Sequence, residues 1–269
     1  MKKVSILMPC FNDGPYLEEA LASIEQQTWK NIEVIIVNDE SDDLFTRKKL
    51  ADISQQGRCC LYTQKHSGPA AARNLAAYYA SGEYFLPLDA DDTIDNDYIE
   101  KAVDILEQNP CVGVCYCHAD FFGKQRGMWE LPNYSLREML KDNIVFVSSV
   151  MRREVFEQAG GYDIKFLAGM EDYDFYLTVI EHGWEIFQLS ESLFHYRIKE
   201  ASRSQMLVKD KEVYFQIYRQ LYEKHKELYR AYADMVIPDL REAYLELRMQ
   251  EQCKRNRTYW KQILSKVFP

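Results

Sequence analysis

No run of apolar residues in this 269-residue chain approaches the ~20 needed to cross a bilayer as a helix, so a membrane-spanning protein is not expected. The short run Val4 to Met8 behind Lys2 and Lys3 is too brief for a signal peptide and reads as a first strand. Positive charge is scarce as well. Lys and Arg number 33 against 42 Asp and Glu, and the formal net charge of -9 has the wrong sign for a general nucleic-acid binder. Disulfide chemistry is also missing: the seven cysteines are an odd number, and Cys59, Cys60, Cys111 and Cys115 sit inside apolar runs. A reducing cytoplasm is the compartment they imply. Cys115, Cys117 and His118 come nearest to zinc-ligand spacing, but no second pair follows, and buried strand cysteines account for them.

What remains is an ordinary globular composition, 47% hydrophobic and 28% charged, long enough for one large α/β domain with a helical appendage. Short apolar runs alternate with amphipathic segments through the first two-thirds, the pattern of a mostly parallel sheet flanked by helices. Strands are expected at Val4–Met8, Glu33–Asn38, Cys60–Thr63, Tyr84–Leu88, Val112–Cys117 and Val145–Met151, and further extended segments at Trp184–Leu189 and Leu193–Arg197. Helical spacing marks Tyr16–Gln26, Pro69–Ala80, Asp97–Gln108, Ser135–Lys141 and Glu171–His182, with Pro69 suited to a first turn and Ser135/Glu138 forming a capping box. These elements divide the chain into an α/β domain over 1–204 and a helical extension over 205–269, with Pro238 the evident breaker.

The last turns of that extension gather Trp260, Ile263, Leu264, Val267 and Phe268 on one face, flanked by Lys254, Arg255, Arg257, Lys261 and Lys266. Two readings stand for it. The helix either packs on its own domain or on a second copy as a homodimer, or it lies peripherally on anionic lipid at the inner face of a membrane.

Three stretches carry chemistry. In Leu86-Pro87-Leu88-Asp89-Ala90-Asp91-Asp92 an apolar strand runs into three carboxylates within four positions. Like charges so crowded repel unless a cation compensates, and a hard Mg²⁺ or Mn²⁺ with waters and a diphosphate as further ligands is the natural one. The alternative is that Asp91 and Asp92 cap the turn and the helix after it. Ile35-Ile36-Val37-Asn38-Asp39 is a second strand opening into a carboxylate, and ligands of open α/β sheets bind beyond the carboxyl ends of strands. Gly68-Pro69-Ala70-Ala71-Ala72-Arg73-Asn74 starts an Ala-rich helix with an Arg one turn in, which suits either a phosphate-bearing ligand or close packing with a structural ion pair.

With Pro9-Cys10-Phe11-Asn12 at the head, these motifs in this order resemble family 2 of the inverting glycosyltransferases over roughly residues 3–200. The resemblance implies a nucleotide-diphospho-sugar transferase fold, Rossmann-like, and a UDP-sugar or related nucleotide-sugar donor. It also implies a saccharide, glycolipid or glycoprotein acceptor, and divalent Mn or Mg. Carried over by position, Phe11 stacks on the base, Pro9 and Asn12 shape the loop, and Asp39 bonds uracil. Gly68, Arg73 and Asn74 lie near the donor, as do Asp89 and Ala90, with Asp89 on ribose or sugar. Asp91 binds the metal with Asp92 in support.

Two further stretches, Gly160-Gly161-Tyr162-Asp163 with Met170-Glu171-Asp172-Tyr173-Asp174 and His195-Tyr196-Arg197, resemble the family's acceptor half. They imply Asp172 as the base that deprotonates the acceptor hydroxyl. The residues alone allow Glu171, Asp172 and Asp174 to be first-turn helix carboxylates. His195 is implied as a second metal ligand and Arg197 as a diphosphate contact, against a satisfied core histidine. Trp129, in the segment 123–132, is either a sugar-stacking residue or ordinary packing. One departure stands out: Asn38-Asp39-Glu40-Ser41 carries Glu40 where the family usually has Gly, so the loop is expected to run differently. Two rivals remain, a nucleotidyltransferase and a catalytically silent nucleotide-sugar-binding module. The first would be expected to show a basic residue in the Pro9–Gly14 loop, which has none.

Overall fold

A computed structural model describes residues 1–200 and 210–267, with the side chains of Cys253 and of residues 255–267 outside the description. The apolar face assigned to Trp260, Ile263, Leu264, Val267 and Phe268 therefore lies outside the described residues. Among the described residues no helix is long and apolar enough to cross a membrane.

The first half alternates strand and helix as the periodicity predicts: β1 Val4–Cys10, α1 Leu17–Glu25, β2 Ile32–Asn38, α2 Leu44–Gln55, β3 Cys60–Thr63, α3 Pro69–Tyr79 and β4 Tyr84–Pro87. These four strands are parallel, in the order β3-β2-β1-β4. β1 is buried along its whole length, which is why it reads as an almost wholly apolar run, interrupted only by Ser5, with no alternation. Its buried Ser5 donates from Oγ to Glu33 Oε1 on β2 at 2.5 Å, so the polar group is satisfied within the sheet. The chain builds β2 and β3 to one side of β1 and then returns to lay β4 on the other. That reversal opens a crevice beyond the carboxyl ends of β1 and β4.

The second half follows as β5 Thr93–Ile94, α4 Tyr98–Gln108, β6 Val112–Gly123, β7 Gly127–Met128, α5 Leu136–Met139, β8 Val150–Arg152, α6 Arg153–Ala159, α7 Glu171–Glu181 and β9 Glu185–Ile198. β8 is antiparallel to β4 and β6, whereas β9 runs parallel to β6, completing the sheet as β4-β8-β6-β9-β5. Two expectations are corrected. The segments Trp184–Leu189 and Leu193–Arg197 are one strand, β9, whose polar Ser190-Glu191-Ser192 sits where the β6–β9 register shifts. The expected strand over Val145–Met151 shrinks to β8.

The C-terminal helices are α8 Lys211–Lys224, α9 Lys226–Ala231 and α10 Ala233–Val267. Pro238 does not break them. It lies in the second turn of α10, and the chain interrupts instead at His225 and Tyr232. His225 is buried, with Nε2 3.0 Å from Asp174 Oδ1 and Nδ1 3.0 Å from Glu181 Oε2, while Lys224 donates to Asp163 and Asp174. Asp174 thus ties α7 to the appended helices.

Candidate active site

A cavity of about 760 Å³ opens at the crevice, within the size range of small-molecule sites. Three walls form it. The first is the loop after β1, the second the starts of α3 and α7, and the third the aromatic ends of β6 and β9.

On the first wall, Pro9, Phe11 and Asp13 face the cavity. Phe11 is 40% exposed and packs on the ring of His66, centroid to centroid 4.4 Å. Asp39 is buried at the end of β2. Its Oδ1 accepts from Gln64 Nε2 at 2.7 Å and Ser67 N at 2.9 Å, and its Oδ2 from Gly68 N at 2.9 Å, with His66 Nδ1 2.9 Å away. Asp39 therefore fastens the loop that leads into α3. Gly68 adopts φ +86° there, a conformation that explains the glycine, since nothing crowds the place a Cβ would take. Asn12 turns away from the cavity: its Nδ2 donates to Asp42 Oδ1 and its Oδ1 accepts from Asp42 N, so it braces the β1 loop from outside. Glu40 takes φ +59°, a left-handed conformation that Gly adopts freely and that costs Glu strain. Its carboxylate accepts from His66 N at 3.0 Å.

The second wall holds the charges. Small buried residues Ala70, Ala72, Ala76 and Ala77 let α3 lie close on β1 and β2, which sets Arg73 under the cavity floor. Arg73 Nη2 donates to Asp89 Oδ1 at 2.6 Å and Nη1 to Glu171 Oε1 at 3.0 Å. Burial alone would lower the guanidinium pKa, but Asp89 and Glu171 outweigh it and raise it. Asn74 does not reach the cavity. Its amide donates to Tyr162 O and accepts from Tyr162 N, holding the Gly160-Gly161-Tyr162 turn that precedes α7. Ala90 is wholly buried beneath the turn. Asp172 stands at the cavity edge, its Oδ1 accepting from Tyr173 N at 2.8 Å. It follows Met170, which carries a strained φ of +68°.

Asp91 Oδ2 lies 2.6 Å and Asp13 Oδ1 2.9 Å from Lys199 Nζ. Burial, then the nearby Asp13 charge, pushes Asp91 up to about 6 despite the lysine. Burial also raises Asp13, and Asp92 rises well above the carboxylate range through burial and the Asp91 charge. Asp92 Oδ1 accepts from the Arg197 backbone N at 2.8 Å. Among the described residues no three His, Cys, Asp or Glu gather as an ion cage. Asp91 and Asp13, two hard oxygen donors already converging on one cation, nonetheless suit Mg²⁺ or Mn²⁺, which takes one or two carboxylates and completes its shell with water and phosphate.

The third wall comprises Phe121, Trp129, Phe146, Phe194 and Tyr196. Trp129 lines it, stacked at 5.3 Å on Phe121 and at 6.0 Å on Phe146. Two expectations fail on this strand. Successive side chains of β9 alternate, and Phe194, Tyr196 and Ile198 take the cavity side, so His195 and Arg197 take the other. His195 Nδ1 is 2.7 Å from Asp120 Oδ1 and Nε2 3.2 Å from Asp95 Oδ1. Burial would lower its pKa, but the Asp120 and Asp95 carboxylates outweigh it and raise it, and both ring nitrogens are engaged by those carboxylates on the side of the strand away from the cavity. Arg197 donates from Nε to Asp91 O at 2.7 Å, pairs with Glu19 and packs over the Phe122 ring, clamping the acidic turn from behind.

The sequence reading missed Asp13, His66 and Lys199 as cavity residues. Lys199 stands just past the end of β9, where strand alternation no longer dictates its direction; Asp13 was hidden in a loop read only for Phe11 and Asn12.

The sequence profile of glycosyl transferase family 2 matches residues 5–160. Glycosyltransferase GlyA of Streptococcus pneumoniae is 29% identical over 225 residues, which is 76% of this chain and 32% of that protein. The putative teichuronic acid biosynthesis glycosyltransferase TuaG of Bacillus subtilis is 27% identical, over 82% of this chain and 89% of its own. The match with an uncharacterized glycosyltransferase of Haemophilus influenzae spans 51% of the relative, so this chain corresponds to only a third to a half of some relatives. Among solved structures, S. aureus TarS 1-349 in complex with UDP-GlcNAc superposes with a TM-score of 0.62 at 20% identity, covering 76% of this chain and 60% of that one. Mannosyltransferase PcManGT of Pyrobaculum calidifontis, in complex with GDP-Man and Mn²⁺, gives 0.60 at 19% identity, covering 77% and 60%. The fold is that of these nucleotide-diphospho-sugar transferases.

Proposed function

The chain belongs to glycosyl transferase family 2, and from that premise we propose that it moves a sugar from a UDP-sugar or related nucleotide-sugar to a hydroxyl of a saccharide, glycolipid or glycoprotein, inverting the anomeric carbon in one displacement. The observation that carries this reading is the Arg73 bridge. It joins Asp89 of the acidic turn to Glu171, the residue before Asp172, so that both carboxylate sets line one cavity. The names of GlyA and TuaG, and the UDP-GlcNAc, GDP-Man and Mn²⁺ complexes of TarS and PcManGT, support it.

In this reading the exposed face of Phe11 takes the nucleobase, and Asp39 shares its carboxylate with a base N–H. Arg73 keeps Asp89 turned toward the ribose or sugar. Asp91, with Asp13, would hold Mg²⁺ or Mn²⁺; such an ion, when bound, neutralises the charge that gathers on the departing diphosphate. Trp129 and the aromatic wall carry the acceptor ring. Asp172 takes the hydroxyl proton as that oxygen attacks from the face opposite the nucleotide, with no covalent sugar-enzyme intermediate. Residues 1–204 form the catalytic part, and 205–269, the part that carries α8 to α10, meets a second copy or a membrane surface on its cytoplasmic side.

Asp172→Asn tests the assignment. Transfer, scored as UDP released across a panel of donors, is expected to fall at least about 100-fold, the worth of a general base, with UDP binding by calorimetry unchanged. Loss of UDP affinity instead would make Asp172 a donor ligand. A wild-type chain that binds UDP yet turns over no donor would be a silent binding module.

A further inference from the structure

Lys199 stands against both of the carboxylates that the proposed function gives to the metal. Its Nζ contacts Asp91 Oδ2 and Asp13 Oδ1 at 2.6 and 2.9 Å, and these carboxylate side chains are only 13% and 18% exposed. The ammonium also lies 5.5 Å from the centre of the Tyr16 ring, and Lys199 itself lines the cavity. Two partly buried carboxylates with no cation between them would repel each other, and the lysine offsets part of that cost when no ion is present.

A dication and an ammonium do not share these oxygens. A Mg²⁺-like ion held by Asp91 and Asp13 would face the ammonium as a like charge across the same two carboxylates, and each cation would weaken the hold of the other. Lys199 is suited to leave: a compact charge on a flexible four-carbon stem, one residue past the end of β9 at Ile198, with 26% of its side chain open to solvent. Arg197, two residues earlier, is held by Asp91 O, Glu19 and Phe122, so the acidic turn keeps its shape whichever cation fills it.

We propose that Lys199 is a resident counter-ion that competes with the divalent metal for Asp91 and Asp13, holding both carboxylates in place until a metal displaces it. The lysine then sets the metal affinity of the free chain and keeps it low. This rests on reading Asp91 as a metal ligand, and the test separates the two claims. Mn²⁺ is titrated into the whole chain without nucleotide, and free Mn²⁺ is read by electron paramagnetic resonance. Lys199→Met is expected to bind Mn²⁺ roughly tenfold tighter or more than wild type, the effect of removing one cation within 4–6 Å, and Asp91→Ala to lose binding. If Lys199→Met binds no tighter while Asp91→Ala loses binding, the competition is refuted and the metal site stands. If Asp91→Ala binds as wild type does, the metal reading falls and the proposal with it. A measurement on the unaltered chain guards against misfolding of the variant. Acylation of Lys199 by an amine-reactive probe, followed by mass spectrometry, is expected to rise when Mn²⁺ is added; labelling that stays constant at saturating Mn²⁺ overturns the displacement.

Discussion

Arg73 is the residue on which the two halves of the site converge. A guanidinium that is nearly fully buried and paired with two carboxylates contributes little net stability as an assembly, yet removing it leaves Glu171 charged in a buried position. Arg73→Met is therefore expected to lower unfolding free energy by about 3 kcal/mol in urea titrations. Adding Glu171→Gln to that variant should recover part of the loss, and no recovery would mean that the cost is packing and not charge. Glu40 teaches a different lesson at the same scale. A left-handed backbone, which Gly would adopt without strain, is held here by a residue with a side chain, and that side chain is tied to His66 N.

At the scale of elements, the turn between α6 and α7 aims Asp172. Gly160 and Gly161 both take positive φ, +78° and +75°, but only Gly161 is also crowded: a Cβ there would lie 2.8 Å from Asn74 Oδ1, whereas none would meet anything at Gly160. Gly160→Ala is thus expected to cost the conformational strain alone, about 1 kcal/mol. Gly161→Ala should cost about 2 kcal/mol and reduce turnover as well, because Asn74 must release the Tyr162 backbone. Equal losses in denaturant melts would remove Asn74 from the account. Parallel elements of the first half were legible because buried strands and amphipathic helices leave different periods. The short antiparallel pieces of the second half were not: β5, β7 and β8 are two or three residues long, too short for any period. The helix α2 was also missed, its mostly exposed polar surface offering little apolar stripe.

Over the whole molecule, an excess of carboxylates gathered at one sheet edge makes stability depend on pH. Asp91 rises from 3.8 to about 6 on folding, so between those values the folded chain holds a proton that the unfolded chain has released. Stability linked to this group is present below pH 4 and is lost as pH rises through 6, by up to about 3 kcal/mol. Asp91→Asn, neutral throughout, is expected to gain melting temperature relative to wild type between pH 4 and 6 and to hold that gain above it. Melting curves that stay parallel across the range would show that Asp91 is ionised in both states.

The amino-acid sequence by itself determined the alternating α/β start, the carboxylates at the ends of β2 and β4, and the glycine turns. Each follows from local period or backbone freedom, which a linear string records. Only the tertiary structure decided which of those groups share a cavity. Strand alternation turned His195 and Arg197 away, Asn12 and Asn74 became braces for neighbouring loops, and Lys199 came from 108 positions along the chain to stand against Asp91. A carboxylate's neighbours in space, which set its charge state and its ligand, are supplied by other strands, and pairing between strands distant in sequence leaves no local trace.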